Sequence, residues 1–286
     1  MTDVLEVQER LAHLFETAFR AEDIAESLVS FDAERLAGEI SPVLARTRFK
    51  VAGVREDGKI TGYVVASELE GDARCGDLRR EFTDSDVVAG HTPLADAIQA
   101  LAGREWLFVR VLGQVNGIVT WSDLHKPPVR MWLFGVITLI EMAFTSILET
   151  LFPDDGWAEL MSPARRRKAQ EFHRERERRS DAAASLRLVD CIQFSDKGQI
   201  LAKDELARRL IGFPSRQKGL QAVKSIVSLR DKLAHSQDIV TDDASSIVAL
   251  AAQLQRILRI GSVFPDVKRS TPRQRPTGNH EVSDTR

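Results

Sequence analysis

The rhythm of apolar and polar positions changes near residue 126. Before that point, short apolar runs such as FKVAGV (49–54) and EWLFVRV (105–111) are bounded by glycine-containing turns, which predicts strands paired in hairpins. After it, apolar residues recur every three or four positions, which predicts amphipathic helices. Pro127 and Pro128 stand at the change and mark a domain boundary.

The strand-forming half contains an internal repeat. DGKITGYVVASEL (Asp57 to Leu69) aligns with LGQVNGIVTWSDL (Leu112 to Leu124) at a constant spacing of 55 residues. Each copy reads as a strand, a turn at Gly58 or Gly113, a second strand and a helix start. Upstream of the second copy, VVAGHTPLADAIQALAG predicts a short strand, then a helix with Thr92 as N-cap and Pro93 at the first helical position. Leu94, Ile98 and Leu101 share one face of that helix. The corresponding helical stretch of the first copy is expected around Phe31 to Leu44, and residues 1–22 read as an N-terminal helix.

In the second half, helices are expected near Val129 to Leu151, Pro163 to Arg179, Ala182 to Phe194, Lys203 to Ile211, Ser215 to His235 and Asp242 to Ile260. Ser162-Pro163, Pro214-Ser215 and Thr241 supply start signals, and Lys197-Gly198 reads as a turn. Residues 263–286 are poor in apolar side chains and predict a disordered tail. Met131 to Phe152 is long enough to span a bilayer, but Glu141 near its middle is costly in lipid, so a buried helix in a soluble, non-membrane protein is expected.

Composition adds limits to this picture. The 286 residues carry 40 Lys+Arg against 42 Asp+Glu, with 43% hydrophobic and 29% charged residues, which is globular and excludes a uniformly cationic nucleic-acid binder. A local patch remains open. Arg165 to Arg179 holds eight Lys/Arg against three Glu, and Arg165, Arg166, Arg167 and Lys168 are candidate RNA contacts, although the interleaved acids equally suit a salt-bridged surface helix. Cys75 and Cys191 show neither CxxC spacing nor a matching Cys/His cluster, so neither a disulfide framework nor a metal site is expected. The acidic start MTDVLEVQER lacks a secretory pattern, so the cytoplasm is the expected compartment.

From about Asp23 to Lys126 these features resemble a tandem CBS pair, the Bateman module, with repeats over about 23–71 and 84–126. The second copy carries the signature Gly117, Ile118, Val119, Thr120, Trp121, Ser122, Asp123, Leu124. The resemblance implies an adenosyl ligand, AMP, ATP or S-adenosylmethionine, at Gly117, Thr120, Ser122 and Asp123. A hydroxyl at a helix start assists phosphate binding, and a carboxylate one turn on accepts from ribose hydroxyls. Capping of a helix by Thr120 or Ser122, with Asp123 facing its dipole, accounts for the same residues without a ligand. The first copy has Val65 and Glu68 at these places, which points to one occupied cleft.

In the helical half, Arg230, Asp231 and His235 lie within RDKLAH (230–235), which resembles the Arg-polar-x-x-x-His motif of HEPN domains. The expected architecture is α+β, a tandem CBS (β-β-α type) module followed by an all-α HEPN-like bundle over 127–262. The resemblance implies a homodimer and metal-independent cleavage of RNA by 2′-hydroxyl attack. His235 would move a proton, Arg230 would stabilise phosphate charge, Asp231 would orient His235, and Glu141 is a supporting candidate. Two other readings keep the same fold. One is a nucleotide sensor without catalysis, and the other a nucleic-acid-binding regulator acting through the basic helix.

Overall fold

A computed structural model describes residues 4–179, 186–235 and 237–239, together with 248, 251, 252, 255 and 256. The expected helix over Asp242 to Ile260 and the tail over 263–286 therefore lie largely or wholly outside the described residues. Helix α1 (Val4–Thr17) leads through a 3₁₀ turn, Ala21–Asp23, into the two-residue strand β1 (Glu26–Ser27).

The repeat seen in the sequence is a repeat in space. The first unit is β2 (Ser30–Asp32), α2 (Ala37–Thr47), β3 (Val51–Glu56) and β4 (Lys59–Val65). The second is β5 (Val87–Ala89), α3 (Leu94–Ala100), β6 (Trp106–Val111) and β7 (Gln114–Thr120). In both, a short strand lies parallel to the middle strand, which pairs antiparallel with the last. The register shifts at Val54/Arg55 in one hairpin and at Val109/Arg110 in the other, so the 55-residue spacing extends to the irregularities. Both loops turn with positive φ at two residues, Asp57-Gly58 and Leu112-Gly113, as a tight twisted hairpin requires. Leu112 adopts φ 50° at a tip where it is fully exposed.

Four expectations in this half are corrected. Phe31 to Leu44 is not one helix: Ser30–Asp32 pairs with β3, and helix begins only at Ala37. Helix α3 starts one residue late, with Pro93 at the cap position and no side-chain cap, because the Leu94 N–H is taken by the Phe19 carbonyl. After β4 and β7 the chain forms short 3₁₀ turns, Ala66–Glu68 and Trp121–His125, rather than full helices. Finally, β1 joins the second unit, pairing with β7 to give the strand order β1-β7-β6-β5, while the first unit keeps β2-β3-β4.

The two sheets meet through Leu28, Val51, Tyr63, Phe108 and Val115. The first unit also has a small core of its own around Ile40, Leu44, Val54, Val64 and Cys75. The second unit does not, since Leu94, Ile98, Leu107, Val119 and Leu124 belong to one continuous core with the helical half. At the boundary expected at Pro127 and Pro128 the chain changes secondary structure, but the packing runs through.

That continuity is made by α4 (Pro127–Leu151), with both prolines in its first turn, where the missing N–H groups cost nothing. It is long and apolar enough to cross a membrane, yet twelve of its 25 residues are buried against the rest of the protein. Around it pack α1, α6 (Phe194–Lys203) and α8 (Arg216–Ala234), with α5 (Pro163–Arg179) and α7 (Glu205–Ile211) completing the helical part. Ser215 caps α8, accepting from the Lys218 N–H.

The helix expected over Ala182 to Phe194 is replaced, where described, by an extended stretch and the 3₁₀ turn Leu188–Cys191. Helix begins at Phe194, after a reciprocal cap in which Gln193 N–H donates to the Asp196 carboxylate. Lys197-Gly198 is therefore a helical pair and not a turn. Gly198 lies where α6 crosses α8, and a Cβ there would meet Val223 at 2.6 Å, so close approach explains the glycine. Arg187 then ties the segment to α4 through Glu149 at 2.6 Å and grips Asp190 at 2.8 Å.

Candidate functional site

Between the two repeat units opens a cleft of about 440 Å³. Strand β1 contributes Glu26 and Ser27. The loop after α2 contributes Arg48, Phe49 and Lys50. Trp106 comes from β6, and Thr120, Trp121, Ser122 and Asp123 from the end of β7 and its 3₁₀ turn. Arg48 ends α2 in the left-handed conformation, φ 59°, which turns the chain toward the cleft. Lys50 is paired with Glu105 at 2.6 Å on an exposed edge.

Thr120, Ser122 and Asp123 are thus brought together as the motif implied. Gly117 is not part of the lining: it pairs with Ser27 beneath β1 and keeps that strand close. The Thr120 N–H and hydroxyl both donate to one oxygen of Asp123, at 2.6 and 2.9 Å, and the Thr120 and Ser122 hydroxyls are 2.7 Å apart. Capping is therefore built, and the capping atoms face the same cleft.

Asp123 is 4% exposed, and its other oxygen is held by the Lys126 ammonium at 2.7 Å. Lys126 reaches two further acceptors, the Ile24 carbonyl at 2.7 Å and Glu26 at 3.1 Å, which uses all three ammonium donors. Burial disfavours the Lys126 charge, but its hydrogen bonds to Asp123 and Glu26 outweigh that and raise its pKa above the ordinary lysine value. Sequence reasoning missed Lys126, Arg48 and Lys50. The first stands one helical turn after Asp123, a spacing that could have flagged it.

At the position equivalent to Ser27, the first unit carries an aromatic ring. Phe82 of the linker packs against Tyr63 and Phe108, with ring centroids 5.7 and 4.8 Å away. Arg80 bridges to Tyr63 in the backbone and forms an ion pair with Glu68.

At the C-terminal end of α8, Arg230 is half-buried and Asp231 and His235 are exposed. Arg230 lies 3.5 Å from the Asp231 carboxylate. His235 is the C-cap of α8, with φ −100°, and its backbone N–H donates to the Asp231 carbonyl at 3.1 Å. Glu141 is corrected: it pairs with the buried Lys197 at 3.1 Å. Its α4 position is about 16 Å along the helix from Arg130, the α4 residue that touches the end of α8. On α5, Arg165 is bound to the buried Asp196 and Arg166 to Glu159, while Arg167 and Lys168 face solvent.

Cys75 and Cys191 are free thiols whose pKa values burial pushes up. Among the described residues, no group of His, Cys, Asp and Glu is arranged to hold a metal ion.

No protein-family model matches the chain, and no curated protein matches it. Solved CBS-domain structures superpose on its N-terminal two-fifths. A hemolysin-like protein containing a CBS domain from Oenococcus oeni PSU is 14% identical, with a TM-score of 0.32 over 41% of this chain and 94% of that one. The CBS domain of a bacterial CNNM/CorC family Mg2+ transporter in complex with ATP is 14% identical, with a TM-score of 0.34 over 43% of this chain and 94% of that one. The CBS-pair protein CBSX2 from Arabidopsis thaliana is 18% identical, with a TM-score of 0.34 over 40% and 96%.

Proposed function

We propose that the protein is a ligand-responsive regulator that binds one adenosyl ligand in the cleft at Thr120, Ser122 and Asp123 and passes its occupancy to the helical half. The convergence in that cleft carries the reading. Trp106, Trp121 and Phe49 offer flat apolar surface for a base, Asp123 offers a carboxylate for ribose hydroxyls, and the Thr120 and Ser122 hydroxyls with Arg48 and Lys50 suit phosphate. A cleft of about 440 Å³ is in the range of small-molecule sites. Titration calorimetry with AMP, ATP and S-adenosylmethionine tests it. One site per chain for at least one of the three is expected, and no binding of any of them rejects the reading.

A second reading for the helical half is ribonuclease activity, favoured by Arg230, half-buried, and His235, exposed, both lying at the C-terminal end of α8. One chain supplies one arginine and one histidine, so two copies facing each other would complete a cleft. The substrate's 2′-oxygen would attack phosphorus and the 5′-oxygen would leave, with His235 transferring a proton and Arg230 holding the phosphate charge. Incubation with tRNA and mRNA in chelator, with and without AMP, ATP or S-adenosylmethionine, tests this. Products with 2′,3′-cyclic phosphate ends, absent from His235→Ala, are expected; equal cleavage by the variant rejects it.

A further inference from the structure

The cleft and the end of α8 are joined by a short, continuous set of polar contacts. Lys126 bonds Asp123 on one side and the segment leading into β1, through Ile24 and Glu26, on the other. It is also the cap residue of α4, in extended conformation with φ −62° and ψ 149°. Pro127 and Pro128 follow, and a residue before proline is confined to that region, so a displacement of Lys126 has little backbone slack to absorb it. One turn on, the Arg130 guanidinium donates to the carbonyls of Lys232, Leu233 and Gln237 at 3.2, 3.1 and 3.0 Å. Beside it, His125 lies 3.4 Å from Asp238. The last turn of α8, which carries Arg230, Asp231 and His235, is thus capped from the helix that leaves the cleft.

Three of the roughly four acceptor positions of the Asp123 carboxylate are taken. One oxygen takes two bonds from Thr120 and the other takes the lysine ammonium. A ribose diol presents two hydroxyl donors and one acceptor position is open, so accepting both at Asp123 displaces one donor already there; the ammonium, which keeps two further acceptors in Ile24 and Glu26, is the one that can leave while the Thr120 bonds hold the turn. A neutral hydroxyl in place of the ammonium leaves Lys126 with Glu26 and Ile24, which draw it toward β1 and away from the 3₁₀ turn.

We propose that Lys126 is a latch: the ribose of an adenosyl ligand displaces it from Asp123, and the shift passes through Pro127, Pro128 and Arg130 to loosen the cap on α8. This rests on the reading of the cleft as an adenosyl site. In it, Lys126 is a competitor of the ligand and Arg130 a positioning residue for the end of α8.

Hydrogen exchange of the full chain, followed over residues 231–239 with and without ATP, tests the latch. ATP is expected to speed exchange there by about tenfold, the loss of roughly one capping interaction. Lys126→Met, which keeps the aliphatic stem, is expected to show fast exchange without ATP and to bind ATP several-fold more tightly. Arg130→Gln removes the cap that ATP binding has to loosen, so by linkage it should bind ATP several-fold more tightly than the wild type while exchanging fast at 231–239 regardless of ATP. Unchanged exchange at 231–239 in ATP-bound wild type overturns the latch, and so does weaker ATP binding by Lys126→Met, which would make Lys126 a phosphate contact. If AMP, ATP and S-adenosylmethionine all fail to bind the wild type, the cleft reading falls. The latch is then decided by ligand-free exchange in the two variants, where wild-type rates overturn it.

Discussion

The two repeat units share a backbone but not a cleft. At the 55-residue spacing, Ser27 corresponds to Phe82, Thr120 to Val65, Asp123 to Glu68, Arg48 to Gly103 and Lys126 to Gly71. In one place a small serine, a hydroxyl, a buried carboxylate and a cation surround open space. In the other a phenyl ring packed on Tyr63 and Phe108 replaces the serine, and the acid is an exposed partner of Arg80. The left-handed turn is kept at both Arg48 and Gly103, so the side chains differ while the backbone geometry is kept. The repeat builds the cradle, and a handful of side chains decide whether it is a site.

Removing the acid from each unit should separate them most. Asp123→Ala leaves the partly buried Lys126 without its carboxylate and removes the cap of the 3₁₀ turn, an expected loss of about 3 kcal/mol in urea unfolding. Glu68→Ala breaks a pair whose side chains are 50% and 45% exposed, with an expected loss below about 1 kcal/mol. Equal losses would mean that the two turns bear the same load. Exchanging the fillers comes next. Phe82→Ser gives up a half-buried ring and should cost roughly 2 kcal/mol without creating a second ligand site, since Val65 and Glu68 remain. Ser27→Phe, at an exposed position, should change stability by less than about 0.5 kcal/mol but abolish adenosyl binding in calorimetry.

Much of this was legible because the signals are local. Alternating strands and two-residue turns around Gly58 and Gly113 set both hairpins, and Thr120 to Asp123 was visible because capping and ligand binding ask for the same residue types. What escaped depends on distant partners. Glu26 and Ser27 are too few to show a period, and only their pairing with Ile118 and Gly117 makes them a strand. Gly198 reads as a turn until Val223 of α8 is seen against it. Lys126 looks like a surface lysine until Ile24 and Glu26, about a hundred residues earlier, meet its ammonium. The Glu141 assignment failed for the same reason, since its partner Lys197 is 56 residues away.

The smallest effect is the most selective. Thr120→Val installs the residue found at the corresponding place in the first unit and keeps the β-branched shape, so the change lies in the hydroxyl. It removes the hydroxyl bonds to Asp123 and Ser122 but leaves the Thr120 N–H on Asp123, so stability should fall by only about 1 kcal/mol. Val65→Thr makes the reverse change, but there the neighbouring acid is already committed to Arg80 and the bulky Phe82 stands in place of Ser27. Adenosyl affinity should therefore drop by about tenfold in Thr120→Val and stay unchanged in Val65→Thr. A second binding event in the latter would show that a hydroxyl alone converts the cradle into a site, and that Phe82 yields to a ligand rather than excluding it.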